Sequence, residues 1–256
     1  MRLLLGFGYD GSKFTGFQKG IGNHSVESEI LSCIREHDLG THFISCSRTD
    51  RGVSALMNTA SIDTDLSPSR IMGTLNSHLD DIYFHRYAVV EDNFRVRYVS
   101  MKTYVYILPD TYPYNKIKLD DLKKFEGTHD FEKYCKLDRK ETTREIKEIF
   151  AETYLDSRIL LFRARGFLWN QIRFMMGYAI ERIIHPSTPP DPFHPAYNAR
   201  RLAPPNFLVL RDIEYPNVVF TGFPSKKKEN ISKKLFENST VQSFLGKNLS
   251  ESLKRK

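Results

Sequence analysis

Two periods of apolar residues take turns along this chain, and each turn marks an element. Residues 3–9 (LLLGFGY) are an apolar run of strand length, closed by the turn-rich segment Asp10–Gly16. Ser25 then precedes Val26, Ile30, Cys33 and Ile34 at helical spacing. A serine there accepts from the orphan amides of a first turn, and Glu27 suits the positive end of the dipole. FISCS at 43–47 reads as a strand that ends in the charged, glycine-containing loop Arg48-Thr49-Asp50-Arg51-Gly52. A strand at 57–63, a helix through Ile71, Met72, Leu75 and Leu79, and a strand at 82–90 (IYFHRYAVV) follow.

The rest of the chain is similar in kind. TYVYIL at 103–108 is a strand with Tyr104 and Tyr106 on one face, because side chains alternate along a strand. Leu119–Phe125 predicts a short helix, and 146–154 with 158–166 a hairpin across Asp156-Ser157. Apolar residues from Leu168 and Trp169 through Ile184 keep a 3–4 spacing and predict a core helix. Residues 186–195 hold five prolines, which exclude a helix and predict an extended loop. NFLVLRDIEY at 206–215 reads as a closing strand. Strands outnumber helices, so the pattern predicts an α+β protein with a mixed sheet covered on one face. The expected organisation is a half at 1–107, a half at 108–225, and a basic tail at 226–256. In the tail, Val241, Phe244, Leu245 and Leu249 line one face of a helix starting near Ser239, or else the segment is solvated. Both readings stand.

Length and composition narrow the class. The 256 residues, 40% hydrophobic and 27% charged, are enough to bury a core. No segment approaches the ~18 apolar residues of a spanning helix, and no basic apolar leader opens the chain, so the expected setting is the cytoplasm without a membrane. Three cysteines, Cys33, Cys46 and Cys135, lack CxxC spacing. That spacing argues against a zinc ribbon or a disulfide framework, and it implies no metal. The net charge of +7 is uneven: residues 1–107 carry −1, 108–225 carry +2 and 226–256 carry +6. Most of the excess therefore belongs to the tail, where lysines attract phosphate nonspecifically. A pI near 9.2 does not by itself place an RNA surface on the body.

Three clusters offer chemistry. In Ser47-Arg48-Thr49-Asp50-Arg51-Gly52-Val53, a carboxylate flanked by guanidinium groups favours its charged form and suits a nucleophile or an electrostatic stabiliser. The same residues also suit a turn cap with solvated arginines. Tyr104, beside Lys102, fits either core filling or stacking on an unpaired base. Arg173, next to Ile172 at the edge of an apolar stripe, either snorkels to water or enters a site.

At these clusters the chain resembles the tRNA pseudouridine synthase A (TruA-type) family. The resemblance rests on FGYDGSKFTGFQ at 7–18, Ser25-Val26-Glu27, SRTDRGVSA at 47–55, Leu75-Asn76, Phe94–Tyr98, KTYVYIL at 102–108, Gly127–Phe131, NQIRFMMG at 170–177 and FLVL at 207–210. These motifs are collinear over about residues 3–215. Departures occur at Ser47, where the family usually has glycine, and at Asn206-Phe207, where it has Gly-Leu. The resemblance implies two similar ferredoxin-like or RRM-like α+β halves sharing one extended mixed sheet with a central cleft. It implies isomerisation of uridine to pseudouridine in the anticodon stem-loop of tRNA, at positions 38, 39 and/or 40, with no cofactor. It also implies a homodimer. By it, Asp50 is the catalytic aspartate, Arg48 shapes its loop and contacts RNA, Tyr104 stacks on the base, Arg173 pairs with the carboxylate, and Leu208 lies against the base.

Two other classes stand beside the enzyme. A noncatalytic tRNA-binding module or RNA chaperone on the same fold would not need Asp50. An aspartate-dependent hydrolase would need a second acid/base carboxylate at definable spacing, and no motif supplies one.

Overall fold

Arg2–Tyr9 forms the first strand, β1, and it is buried along nearly its whole length. Its neighbours in sequence are helix α1 (Val26–Glu36), strands β2 (Thr41–Ser45) and β3 (Ser54–Asp63), helix α2 (Pro68–His78) and strand β4 (Ile82–Val90). The computed structural model describes residues 1–18, 24–136, 141–154 and 157–224. The tail at 226–256, its expected helix, and Asp156 of the expected hairpin turn lie outside the described residues.

The chain divides into two compact units, Met1–Ser100 with the described residues from Val209 onward, and Met101–Leu208. In the first unit β1 lies between β3 and β4, antiparallel to both, and β2 pairs with β3. The order β4-β1-β3-β2 with helices after β1 and β3 is the split βαβ arrangement of ferredoxin-like units. Ser25 caps α1 as its sequence suggests, accepting from the Ser28 amide while the Ser28 hydroxyl accepts from the Ser25 amide. Pro68 opens α2, where its missing N–H has no helical partner to lose.

Sequence alternation predicts a sheet covered on one face, but β1 and β3 are buried on both. The Thr59 hydroxyl lies 2.6 Å from the Tyr215 hydroxyl, which donates to the Val96 carbonyl at 2.7 Å. Residues around Val96 and Tyr215 thus cover the face of β3 that carries Thr59. Phe7, Tyr9, Phe17 and Phe84 pack as rings on the other face of β1. At the far ends of these strands, Arg2 holds Asp63 through two hydrogen bonds of 2.7 and 2.9 Å. The Arg2 hydrogen bond holds the Asp63 carboxyl below its ordinary value. A lowered folded-state pKa contributes stability that is fully present above the unfolded value and lost as pH falls through the folded one. Asp63→Asn is therefore expected to lower stability at neutral pH, with the difference from wild type closing below about pH 4. Urea midpoints measured across pH check this, and a difference that persists undiminished under acid contradicts it.

The second unit contains strand β5 (Met101–Ile107), helix α3 (Leu119–Lys123), strands β6 (Gly127–Asp130), β7 (Thr143–Tyr154) and β8 (Ser157–Ala164), and helix α4 (Gln171–Ile184). Its strands run β5-β8-β7-β6, all antiparallel. The order strand, helix, strand, strand, helix and the placement of the third strand between the first two repeat those of the first unit, with β6 added at the edge. The chain then re-enters the first unit as β9 (Leu208–Glu214), parallel to β3 from Val209, and β10 (Thr221–Gly222), antiparallel to β4. The expected α+β class is observed.

Helix α4 starts later than the apolar spacing suggests. Asn170 caps it with a left-handed φ of 64°, so Leu168 and Trp169 precede it. Trp169 is 43% exposed, with the Lys136 ammonium 4.2 Å from its ring centroid, rather than core. The proline-rich loop is extended as expected and is tied down by tyrosines. Tyr178 donates to the carbonyls of Pro189 and Pro190, and Tyr134 to that of Pro192. Gly177 has no room for a side chain, since a Cβ there would run into the Arg201 carbonyl. Among the described residues, no helix is long and apolar enough to cross a membrane.

Candidate active site

The segment between β2 and β3, residues 46–53, is braced at several points by its own unit. Asn58, fully buried on β3, donates to the Ser47 carbonyl at 2.9 Å and accepts from the Ser47 amide at 3.3 Å and its neighbour Thr59 at 2.9 Å. The Cys46 amide bonds the Thr59 carbonyl at 2.8 Å. One carboxamide therefore fixes where the loop leaves the sheet.

Two residues on, the Thr49 hydroxyl lies 2.8 Å from the Tyr9 hydroxyl, and the Thr49 carbonyl accepts from the Phe17 amide at 3.1 Å. Burial pushes the Tyr9 phenol above the usual tyrosine range, so it stays neutral. The tip is a tight turn: the Val53 amide donates to the Asp50 carbonyl at 3.1 Å, and Gly52 at φ 83° supplies the positive φ such a turn requires. Gly11 donates its amide to the Ser54 hydroxyl at 3.0 Å, and a Cβ on it would run into the Val53 carbonyl. The Asp10–Phe17 turn thus lies directly against the loop, and only glycine permits that approach.

On this scaffold Asp50 is half-buried while Arg48 and Arg51 are exposed. The two arginines are presented outward, and the loop is bound by Asn58, Phe17 and Tyr9. A carboxylate carried on a backbone fixed this way has only its own side-chain rotations to lose on meeting a substrate.

Tyr104, Arg173 and Leu208 belong to the second unit. Tyr104 on β5 pairs with Phe162 of β8, is 8% exposed, and meets Phe167 edge to face at a centroid distance of 5.3 Å. Arg173 lies on the first turn of α4. Its Nε donates to the Ala203 carbonyl at 2.8 Å and its Nη1 to Asn170 Oδ1 at 3.0 Å, while its own carbonyl accepts from the Ala203 amide at 3.1 Å. The guanidinium is thereby oriented by two fixed acceptors, and Asn170 owes its place to its left-handed backbone. Leu208 is buried just past a short 3₁₀ turn at Pro205–Phe207. Tyr104 and Arg173 both lean on the 167–170 connection.

Sequence reasoning names the charged tip but misses what holds it. Asn58, Tyr9, Phe17 and Gly11 brace the loop, and three of them fall in the 7–18 motif. A buried asparagine inside an apolar strand, next to a loop it must satisfy, is the signal that was available for the fourth.

A family profile described as tRNA pseudouridine synthase matches residues 122–216. A tRNA pseudouridine synthase A of Thermoplasma acidophilum is 40% identical over 248 residues, covering 95% of this chain and 94% of that protein. The chain belongs to the tRNA pseudouridine synthase A family. Relatives of the same name from Picrophilus torridus and Pyrococcus furiosus are 36% and 30% identical, covering 87% and 95% of this chain and 86% and 92% of theirs. The family is one of enzymes that isomerise uridine to pseudouridine. Its profile includes α4 and Leu208, and the Asp50 loop and Tyr104 lie ahead of the matched stretch.

Proposed function

We propose that this chain isomerises uridine to pseudouridine in the anticodon stem-loop of tRNA, at positions 38, 39 and/or 40, with Asp50 as its catalytic carboxylate. The observation that carries the reading is the Asp50 turn itself, a half-buried carboxylate on a loop whose backbone is bound by Asn58 and Phe17, whose Thr49 hydroxyl meets Tyr9, and which is backed by Gly11. Family membership supplies the reaction.

The isomerisation balances without a co-reactant. The N1–C1′ bond breaks, the uracil turns, C5 bonds to C1′, and the proton lost from C5 is matched by one gained at N1. A single carboxylate serves this either by adding to the sugar carbon or by removing a sugar proton. The target must leave the helical stack, at a cost of a few kcal/mol that stacking and pocket contacts offset. Tyr104 is assigned the stacking platform, Leu208 the apolar contact with the base, Arg48 the contact with RNA, and Arg173 the partner that keeps the Asp50 carboxylate charged. The enzyme acts as a homodimer in the cytoplasm.

Carbodiimide treatment of unmodified tRNA after incubation with the protein, followed by primer extension, tests the reading. New stops at positions 38–40 are expected. Binding of the tRNA without any stop would instead mark a noncatalytic tRNA-binding module. The stacking assignment gives its own expectation. Tyr104→Ala lowers kcat/KM by about 5- to 150-fold, the ~1–3 kcal/mol of one stacked base, whereas Tyr104→Phe keeps most of it. Equal losses in both variants would assign the hydroxyl, not the ring.

A further inference from the structure

We infer that Cys33, His37 and His78 form a zinc site that clamps α1 to α2. Sequence spacing hides it, because His78 lies on a different helix and no CxxC is present. In the fold, one ligand atom from each of the three residues lies within 4.8 Å of the other two. The two imidazole centroids are 3.9 Å apart.

Thiolate and imidazole are the ligands zinc prefers. Tetrahedral bonds of ~2.0–2.3 Å place such ligand atoms roughly 3.3–3.8 Å apart, so closure needs a movement of only about 1 Å. Cys33 is 4% exposed and supplies a rigid anchor one helical turn before His37, which caps α1. His78 is the last residue of α2 and is exposed. Its Nδ1 lies 2.9 Å from the Thr74 carbonyl. That bond takes the Nδ1 proton and leaves the Nε2 lone pair for a metal, the usual orienting contact of a ligating histidine. Both helices end here, and the negative ends of their dipoles favour a cation.

Burial, with Glu36 adding to it, pushes the Cys33 thiol up. Zinc binding must therefore release that proton, forming the S–Zn bond as the S–H bond breaks. Three protein ligands leave the fourth position to water. The cluster is at the opposite end of α1 from Val26, whose amide bonds Gly16 beside the Asp50 loop, about 15 Å along the helix. Its role is a staple between helices and not a step of the isomerisation.

Cobalt(II) titration of the reduced, chelator-treated full-length protein tests this. One equivalent is expected to give the visible bands of tetrahedral cobalt together with a thiolate charge-transfer band, and zinc is expected to bleach both. Cys33→Ser should lose the charge-transfer band, His78→Ala should weaken binding by at least ~100-fold, and Cys135→Ser should change neither. Zinc should raise the Tm of wild type but not of His78→Ala, whose exposed site lets the fold persist. Absence of tetrahedral cobalt bands in the wild type overturns the site, as does a charge-transfer band that survives in Cys33→Ser.

Discussion

Asp50→Asn is expected to lower the single-turnover rate of pseudouridine formation by at least 10²–10⁴-fold, roughly what removal of a positioned acid–base or nucleophilic group costs. The tRNA Kd should stay within about threefold of wild type, because the amide keeps the shape of the tip and Arg48 and Arg51 remain exposed beside it. The loss falls on chemistry alone, since only the carboxylate carries the charge that the reaction uses. Filter binding beside a time course of modification separates the two quantities. A variant that keeps more than a few per cent of the wild-type rate would remove Asp50 from the mechanism.

The second large effect is expected from a residue that touches no substrate. Asn58→Ala leaves the carbonyl and amide of Ser47 and the amide of Thr59 without their buried partner. Each orphaned group costs about 1–3 kcal/mol, so the three together cost at least about 3 kcal/mol and lower the Tm by at least about 6–12 °C. Because Ser47 lies three residues before Asp50, the loosened loop should also lower kcat by about tenfold or more at temperatures well below the Tm. Thermal melts and kcat measured on the same preparation check both halves. A wild-type Tm with a wild-type kcat would show that the carboxamide does not set the loop.

Most elements were legible because burial and period coincide in them. α1 announces itself through Ser25 and the spacing of Ile30, Cys33 and Ile34, and its observed start at Val26 follows from that cap. The β7–β8 hairpin and the proline-rich loop follow in the same way from alternation and from excluded helix. What the sequence conceals is local and polar. The β6 strand, GTHD, is mostly exposed at a sheet edge and offers no apolar alternation. Trp169 continues a helical apolar spacing, yet the helix begins only at Gln171, after Asn170 caps it through a backbone conformation that no spacing rule foretells. The second covered face of β1 depends on Val96 and Tyr215, which are distant in sequence and irregular in backbone.

The candidate site divides along the same line. Asp50 and Arg48 are visible as a charged, glycine-containing tip after a strand, and the roles proposed for them come from the resemblance of that motif to the family's. The bracing by Asn58 and Gly11 depends on contacts across 11 and 43 residues of chain, which only the fold brings together. Cys33, His37 and His78 are the extreme case, since in sequence Cys33 reads as one more apolar position of α1.

Release of tritium from tRNA carrying uridine labelled at C5 measures the bond change on which the account rests. Wild-type protein should release label from transcripts labelled at positions 38–40, and Asp50→Asn should release none above background while still binding the tRNA. Label released equally by both proteins would contradict the assignment of the reaction to the Asp50 carboxylate.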